Sequence, residues 1–274
     1  MKVYVNNRSW TLILLALLSL LSACASVKPV ERQSLYAPMS TDETARLQRE
    51  MSALPVGERI AFWAESFVGA PYDTDPLGAY VRQEKAVCDT EVDCMYHVFR
   101  SVELATSGTP DEAVQRALEL RFKTRGVIVD GRITNYAERY EYGEDMVASG
   151  KWGEDVSATL GNAGEVAGSR GHDRVIYLPK DELLKPENYA RLKSGDLIFF
   201  IKDPARRVVG EIVGHLGVVK AEGGKPFLIH ASGSKAREGS PGGGAVRKVD
   251  LLKYLSGMKF IGVVVTRFPD QSRH

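Results

Sequence analysis

The sequence predicts an α+β domain, with helices in its first half and a mostly antiparallel β-sheet in its second. Three observations predict it. Between Glu58 and Leu120 apolar residues recur at intervals of three and four, the period of a helix with one buried face. From Leu197 onward the apolar runs are short, rich in β-branched and aromatic residues, and separated by glycine or charged turns. The chain has 274 residues, 44% hydrophobic and 26% charged, which are values of a globular protein with room for one sizeable domain and a leader. Helices followed by strands, without strict alternation, read as α+β rather than α/β.

The first element is a leader. Lys2 and Arg8 form a basic start, Trp10 to Leu21 is apolar, and Ser22 and Ala23 are small. This is a secretory signal layout, with an apolar part too short to span a bilayer as a helix. The run ends Leu21-Ser22-Ala23-Cys24, which resembles the lipobox of bacterial lipoproteins. That resemblance implies a diacylated Cys24 as the new first residue, a membrane anchor, and, with Ala25 after it, outer-membrane sorting in a Gram-negative cell. The alternative is a plain secreted protein cut near Ala23. Residues 25–45 contain Pro29 and Pro38 and no sustained period, so they read as a tether. The expected layout is a signal peptide at 1–23, an acylated anchor and linker at 24–50, and the domain at 51–270.

Within the domain, Ile60, Phe62, Trp63 and Phe67 predict a short helix ending at Gly69, after which Ala70-Pro71-Tyr72 turns the chain. A second helix begins near Cys94, with Met95, Val98, Phe99, Val102 and Ala105 on one stripe and Asp89, Thr90 and Asp93 as cap and early acids. Gly108-Thr109-Pro110 stops it, and Asp111 to Leu120 predicts a third. The stretch from Glu144 to Arg174 is glycine-rich and reads as surface loop. Strands are expected at 197–201, 216–219, 226–229 and 260–265, with Val249 to Leu255 as a helical insert. No internal repeat is present.

Charge excludes one class of partner. Residues 1–23 hold two cations and no anion, so the mature chain carries 34 basic against 35 acidic residues. No sequence-wide basic excess exists to bind nucleic acid through its phosphates. No motif calls for a cofactor, and no metal is assigned. Besides Cys24 the cysteines are Cys88 and Cys94, six apart, a spacing that in an exported protein reads first as a disulfide.

Cys94 stands at a predicted helix N-terminus, where free amide N–H groups and a partial positive charge lower a thiol pKa. A buried small hydrophobe is the plainer reading of the same residue. His215 opens one predicted strand and His230 closes the next, with Glu222-Gly223-Gly224-Lys225 between them. A two-residue Gly223-Gly224 turn puts His230 opposite Gly217, a diagonal neighbour of His215 on the same face, about 7–8 Å away. A cysteine at a helix start and two histidines at a sheet end suit nucleophilic catalysis, with His215 as base and His230 as orienting group. A Cys/His/His metal site and two water-exposed histidines remain open at this point. His97 reads as a helix-surface polar group or a cleft residue; His172 and His274 receive no role.

Taken in order, Val92-Asp93-Cys94, Gly195-Asp196-Leu197-Ile198-Phe199-Phe200, Gly214-His215-Leu216-Gly217-Val218-Val219 and Ile229-His230-Ala231-Ser232 resemble the NlpC/P60 cell-wall hydrolases, and Gly69-Ala70-Pro71-Tyr72 resembles that family's Gly-x-Pro-Tyr. Arg121-Phe122, Gly131, Asn135-Tyr136-Ala137-Glu138-Arg139-Tyr140, Leu251-Leu252-Lys253-Tyr254-Leu255 and Val265-Thr266-Arg267 resemble more closely the DUF1460 branch, described as N-acetylmuramoyl-L-alanine amidase-like. The likeness runs from about residue 58 to 268. It implies a papain-like fold and a cysteine amidohydrolase acting on a peptidoglycan or muropeptide amide, at the muramoyl–L-Ala or the D-Glu–diamino acid bond. It implies Cys94 as nucleophile, His215 as base and His230 as orienting residue, with Tyr72, Asp93, Arg139 and Ser232 binding substrate. Cys88 then packs or stays free, since a bond to Cys94 would silence the enzyme. The branch usually has Thr-Phe after Asp-Cys, where this chain has Met95-Tyr96-His97-Val98. The glycine-rich Gly233 to Gly244 reads as a lid. The alternatives are a papain-like lipid acyltransferase or hydrolase, favoured by an apolar groove around Met95 and Phe99, and a catalytically silent wall-binding lipoprotein.

Overall fold

The structure is a computed structural model and describes residues 36–270. The leader at 1–23, Cys24 and residues 25–35 of the expected tether lie outside the described residues. Six helices frame the site and its supports: α1 (Thr41–Met51), α2 (Val56–Ser66), α3 (Cys94–Ala105), α4 (Pro110–Leu120), α5 (Gly143–Ser149) and α6 (Leu251–Gly257). The strands are β1 (Ile128–Val129), β2 (Arg132–Ile133), β3 (Glu154–Asp155), β4 (Gly164–Ala167), β5 (Arg174–Pro179), β6 (Leu197–Lys202), β7 (Val213–Glu222), β8 (Lys225–Ser234), β9 (Gly243–Asp250) and β10 (Phe260–Arg267). Among the described residues the main sheet runs β4-β5-β10-β6-β7-β8-β9, with β3 also paired to β10, and every pairing in it is antiparallel. The α+β expectation holds.

Helices α2, α3 and α5 lie against one face of this sheet and α6 against the other. Helix α3 is central: every residue from Tyr96 to Ala105 is buried, and it packs against α2, α4, β7 and β8. The sequence stripe of Met95, Val98, Phe99 and Val102 understates this, because the helix is enclosed on all sides and its polar residues are buried too. Strand β6 is buried from Leu197 to Ile201, so its unbroken apolar run marks a central strand covered on both faces. Alternate residues go to two clusters, Phe199 and Ile201 toward the helices, Ile198 and Phe200 toward α6 and the β5 side.

Four expectations are corrected. Residues 41–50, read as part of the linker, form helix α1, capped by Ser40 accepting from the Glu43 N–H. This helix docks through polarity: buried Gln48 donates to the carbonyls of Leu104, Ser107 and Thr109 at 3.2–3.3 Å. Such a contact leaves no apolar period to detect. The supposed surface loop at 144–174 holds α5, β3 and β4, elements too short to show a period; Met146, Trp152 and Leu160 anchor it in the interior. Finally, Val249 belongs to β9, and α6 begins only at Leu251, with Asp250 accepting from the Lys253 N–H as its cap. The ends of the supposed lid, Gly233–Ser234 and Gly243–Gly244, are paired strand, so the turn proper is residues 235–242.

Candidate active site

The site forms where the start of α3 meets the ends of β7 and β8. Asp93, extended at φ −89° and ψ 179°, caps α3 by accepting the Tyr96 N–H at 2.8 Å, which makes Cys94 the first helical residue. The segment before it is tied to the sheet. Gly69 N–H donates to Val246 O, Val246 N–H to Ala70 O, and Tyr72 N–H to Gly244 O, while Val92 N–H donates to Pro71 O and Asp73 N–H to Val92 O, all at 2.9–3.1 Å. The Tyr72 ring lies against Gly233, where a Cβ would come within 2.2 Å of Tyr72 Cγ. Only glycine leaves space for that ring.

The turn joining β7 and β8 takes the two-residue form. Gly223 and Gly224 have φ of 56° and 77°, the left-handed pair a type I′ turn requires. Val218 pairs with Ile229 and Glu222 with Lys225, the register that puts both histidines on one face. His215 Nε2 lies 2.7 Å from His230 Nδ1, the rings nearly perpendicular at 81°. Phe200, directly across from His215 on β6, stacks on it at 5.8 Å. Tyr254 of α6 stands 4.8 Å from His230 and 6.1 Å from His215 between ring centres.

Burial governs the protonation of all three groups. The Cys94 thiol is pushed up to about 12, first by burial and then by the adjacent Asp93 carboxylate; hydrogen bonding from the backbone of Leu216 and the charge of Lys235 work against the rise. The helix N-terminus is where the sequence puts it, but desolvation outweighs its pull, so the expected low thiol pKa is reversed. Burial lowers His215 to about 3, with His230 and His97 adding to the effect, and lowers His230 to about 4. The resting site is therefore a neutral thiol beside two neutral imidazoles. Burial also raises the Tyr72 and Tyr254 hydroxyls, and the Cys94 charge adds to both, so both phenols keep their protons at neutral pH.

The other sequence candidates fall as follows. Asp93 Oδ2 accepts from Lys235 Nζ at 2.9 Å. Ser232 lies on β8 opposite Ala245, half-buried. Arg139 donates to Tyr136 O at 3.1 Å and pairs with Glu141 at 3.0 Å. His97, read as a helix-surface polar group or a cleft residue, is fully buried; its Nε2–H donates to Ala64 O at 3.0 Å, its Nδ1 has no hydrogen bond, and burial lowers it to about 4. His172 pairs with Asp145 at 3.1 Å. Cys88 and Cys94 are both free thiols, and burial raises Cys88. Tyr254 and Lys235 had no assigned role in the sequence. Tyr254 falls inside the DUF1460-like run, whereas nothing local marks Lys235, which reaches Asp93 across 142 residues of chain. Among the described residues no group of three or more His, Cys, Asp or Glu side chains has an arrangement that could hold a metal ion. A 570 Å³ cavity lined by Glu58, Lys193, Arg267 and Asp270 contains none of the residues gathered around Cys94.

No family model and no curated protein sequence matches the chain. Solved structures do. The chain is similar to a Legionella pneumophila protein carrying the family model DUF1460, at 16% identity and a TM-score of 0.63, covering 84% of this chain and 95% of that one. It is similar to an N-acetylmuramoyl-L-alanine amidase from Bacteroides uniformis, at 21% identity and a TM-score of 0.59, covering 78% and 99%. A Bacteroides fragilis protein named as a candidate xylanase matches at 22% identity and a TM-score of 0.57, covering 76% and 100%. The names point to different chemistries, and at such identities the likeness is one of fold: the described domain shares its architecture with a DUF1460 structure over nearly that structure's whole length.

Proposed function

We propose that this protein is a cysteine amidohydrolase of the papain-like NlpC/P60 type, acting on the peptide part of peptidoglycan. The observation that carries this reading is the 2.7 Å His215–His230 contact beside a cysteine at a helix start. When His215 Nε2–H donates to His230 Nδ1, the His215 Nδ1 lone pair is left to accept a proton. Cys94 Sγ–H gives its proton to that nitrogen as sulfur bonds to the amide carbon, and His215 returns it to the leaving nitrogen as the C–N bond breaks. Water, deprotonated by His215, then releases the acyl group and restores the thiol. The Tyr72 hydroxyl, protonated at neutral pH, is suited to donate to the carbonyl oxygen as it gains charge.

The geometry favours peptide over lipid. Of the two residues a lipid groove would have used, Phe99 is wholly buried and packs on Trp152 at 4.9 Å, which leaves only half-buried Met95. The flank of Cys94 holds Asp93 and Lys235 instead. The amidase-named structure from Bacteroides uniformis supports the same substrate class. Attachment through an acylated Cys24, at the outer membrane and facing the periplasm, belongs to this proposal.

The test is mass spectrometry of purified muropeptides after incubation with wild type or Cys94→Ala. Release of a free peptide by wild type alone is the expected result, and the fragment mass names the bond. Unchanged muropeptides under reducing conditions would sink the reading.

A further inference from the structure

Lys235 is the first residue of the β8–β9 turn, and the chain holds it on both sides. Ser234 before it is paired with Gly243 in the sheet, and the Ala236 N–H after it donates to Thr74 O at 2.8 Å. Its ammonium lies 2.9 Å from Asp93 Oδ2, 3.9 Å from Asp73 Oδ2 and 5.7 Å from the centre of the Tyr72 ring. Carboxylates beside it are already occupied. Asp93 Oδ1 caps α3, and both Asp73 oxygens accept backbone N–H groups, from Asp75 at 2.9 Å and Ala79 at 2.7 Å. Asp75 is bonded to exposed Arg82. Half-buried Glu91 completes the acidic surroundings, its carboxyl raised by burial and then by Asp73.

The carboxylate of Asp93, the residue before Cys94, thus already carries a cation. An α-amino group, with an ordinary pKa near 8, is cationic at neutral pH. A peptide presenting one beside Cys94 has to displace Lys235 from Asp93 before gaining the same charge-assisted hydrogen bond. A peptide whose nitrogen is acylated carries no charge there and displaces nothing. We infer that Lys235 is a specificity-determining residue that fills the ammonium site of Asp93 from within the chain, so that the site selects peptides acylated at their amino end over those with a free amine. This rests on the proposed amidohydrolase reading.

The test compares two probes, an L-Ala-γ-D-Glu-diamino acid peptide with a free amine and the same peptide N-acetylated. Binding is measured by calorimetry on full-length Cys94→Ala, with and without Lys235→Met, and turnover on the proteins with Cys94 intact. The expected result is a preference for the acetylated peptide that narrows at least about tenfold in Lys235→Met, by tighter binding of the free amine, and that Lys235→Arg preserves. An unchanged preference in Lys235→Met overturns the inference while leaving the hydrolase reading intact. A preference that shifts with Lys235 in binding, without turnover of either peptide, overturns the hydrolase reading alone. Absence of binding by every variant overturns both.

Discussion

Helix α3 carries two buried polar clusters, one at each end, and they are built on opposite principles. Its N-terminal end presents Cys94 and His97 near His215 and His230; its C-terminal half presents Arg100 and Glu103. In the second cluster two guanidinium groups are set against two carboxylates, with only Arg121 Nη1 left without a hydrogen-bond partner. Arg121 grips Glu103 through Nε and Nη2 at 2.6 and 2.7 Å, Arg100 reaches Glu103 at 3.2 Å, and Arg100 pairs with Asp89 through two bonds at 2.9 and 3.1 Å. The Tyr96 hydroxyl adds a bond to Asp89 at 2.9 Å, and the Arg121 guanidinium lies 4.9 Å above the Tyr96 ring. Burial works against both guanidinium charges, but Asp89 raises Arg100, Glu103 raises Arg121, and both stay charged. The histidines have each other and a backbone carbonyl for hydrogen-bond partners, and burial drives them neutral. The same desolvation acts on both clusters. The partners decide whether a group keeps its charge and holds the fold together, or loses it and becomes a proton acceptor at neutral pH.

Four experiments press on this contrast. The largest effect is expected from Cys94→Ala: hydrolysis falls by at least about 10⁴-fold, with the thermal melt little changed, because a small half-buried side chain is lost. Loss of folding instead would mean that the cysteine end is structural like the other. Next, Glu103→Gln leaves two buried guanidinium groups without their shared carboxylate and is expected to cost about 3–5 kcal/mol in urea unfolding. A loss under about 1 kcal/mol would show that water or another group compensates Arg121.

The third experiment concerns pH. His97, His215 and His230 titrate near 4, 3 and 4 in the folded chain, below the exposed value of 6.5, so the unfolded chain binds protons first as pH falls. Their contribution to stability is complete above about pH 6.5 and is lost progressively from there down through about pH 4 for His97 and His230 and about pH 3 for His215, by up to about 1.4 kcal/mol per pH unit for each ring. Urea melts at pH 7, 5.5 and 4.5 read that slope, and His97→Asn should make it shallower. In the same range, alkylation of Cys94 by iodoacetamide should rise steadily with pH. A plateau between pH 5 and 7 would instead reveal a thiolate–imidazolium pair and break the neutral description of the site. The smallest effect is expected at the exposed Arg46–Glu50 pair on α1, at 2.7 Å. Glu50→Ala should shift stability by no more than about 0.5 kcal/mol, against several for Glu103.

Much of the candidate-site end was legible because its signals are local. The Gly223-Gly224 dipeptide dictates a two-residue turn, the turn dictates register, and register sets His215 and His230 on one face. Asp93 before an apolar run marks a helix start and puts Cys94 there. The ionic cluster was illegible for the converse reason. Arg121 and Glu103 are 18 residues apart, on consecutive helical segments whose relative packing no local pattern encodes. Of the two readings of His97 only the surface one fails, because a polar residue one turn into an amphipathic stripe looks exposed until the neighbouring elements close over it. Lys235 meets Asp93 only through the crossing of residues 69–74 against β9.

By itself, then, the sequence determined the α+β class, the start of α3, the central strands and the pairing of the two histidines, all of which depend on contacts within a few residues or across one tight turn. Tertiary structure alone decided the protonation of Cys94 and its histidines, the ionic cluster at the far end of α3 and the cation resting on Asp93. The reason is physical: hydrogen-bonded turns and helix caps are local interactions, whereas desolvation and ion pairing depend on which distant segments exclude water from a group, and that is settled only when the sheet and helices pack.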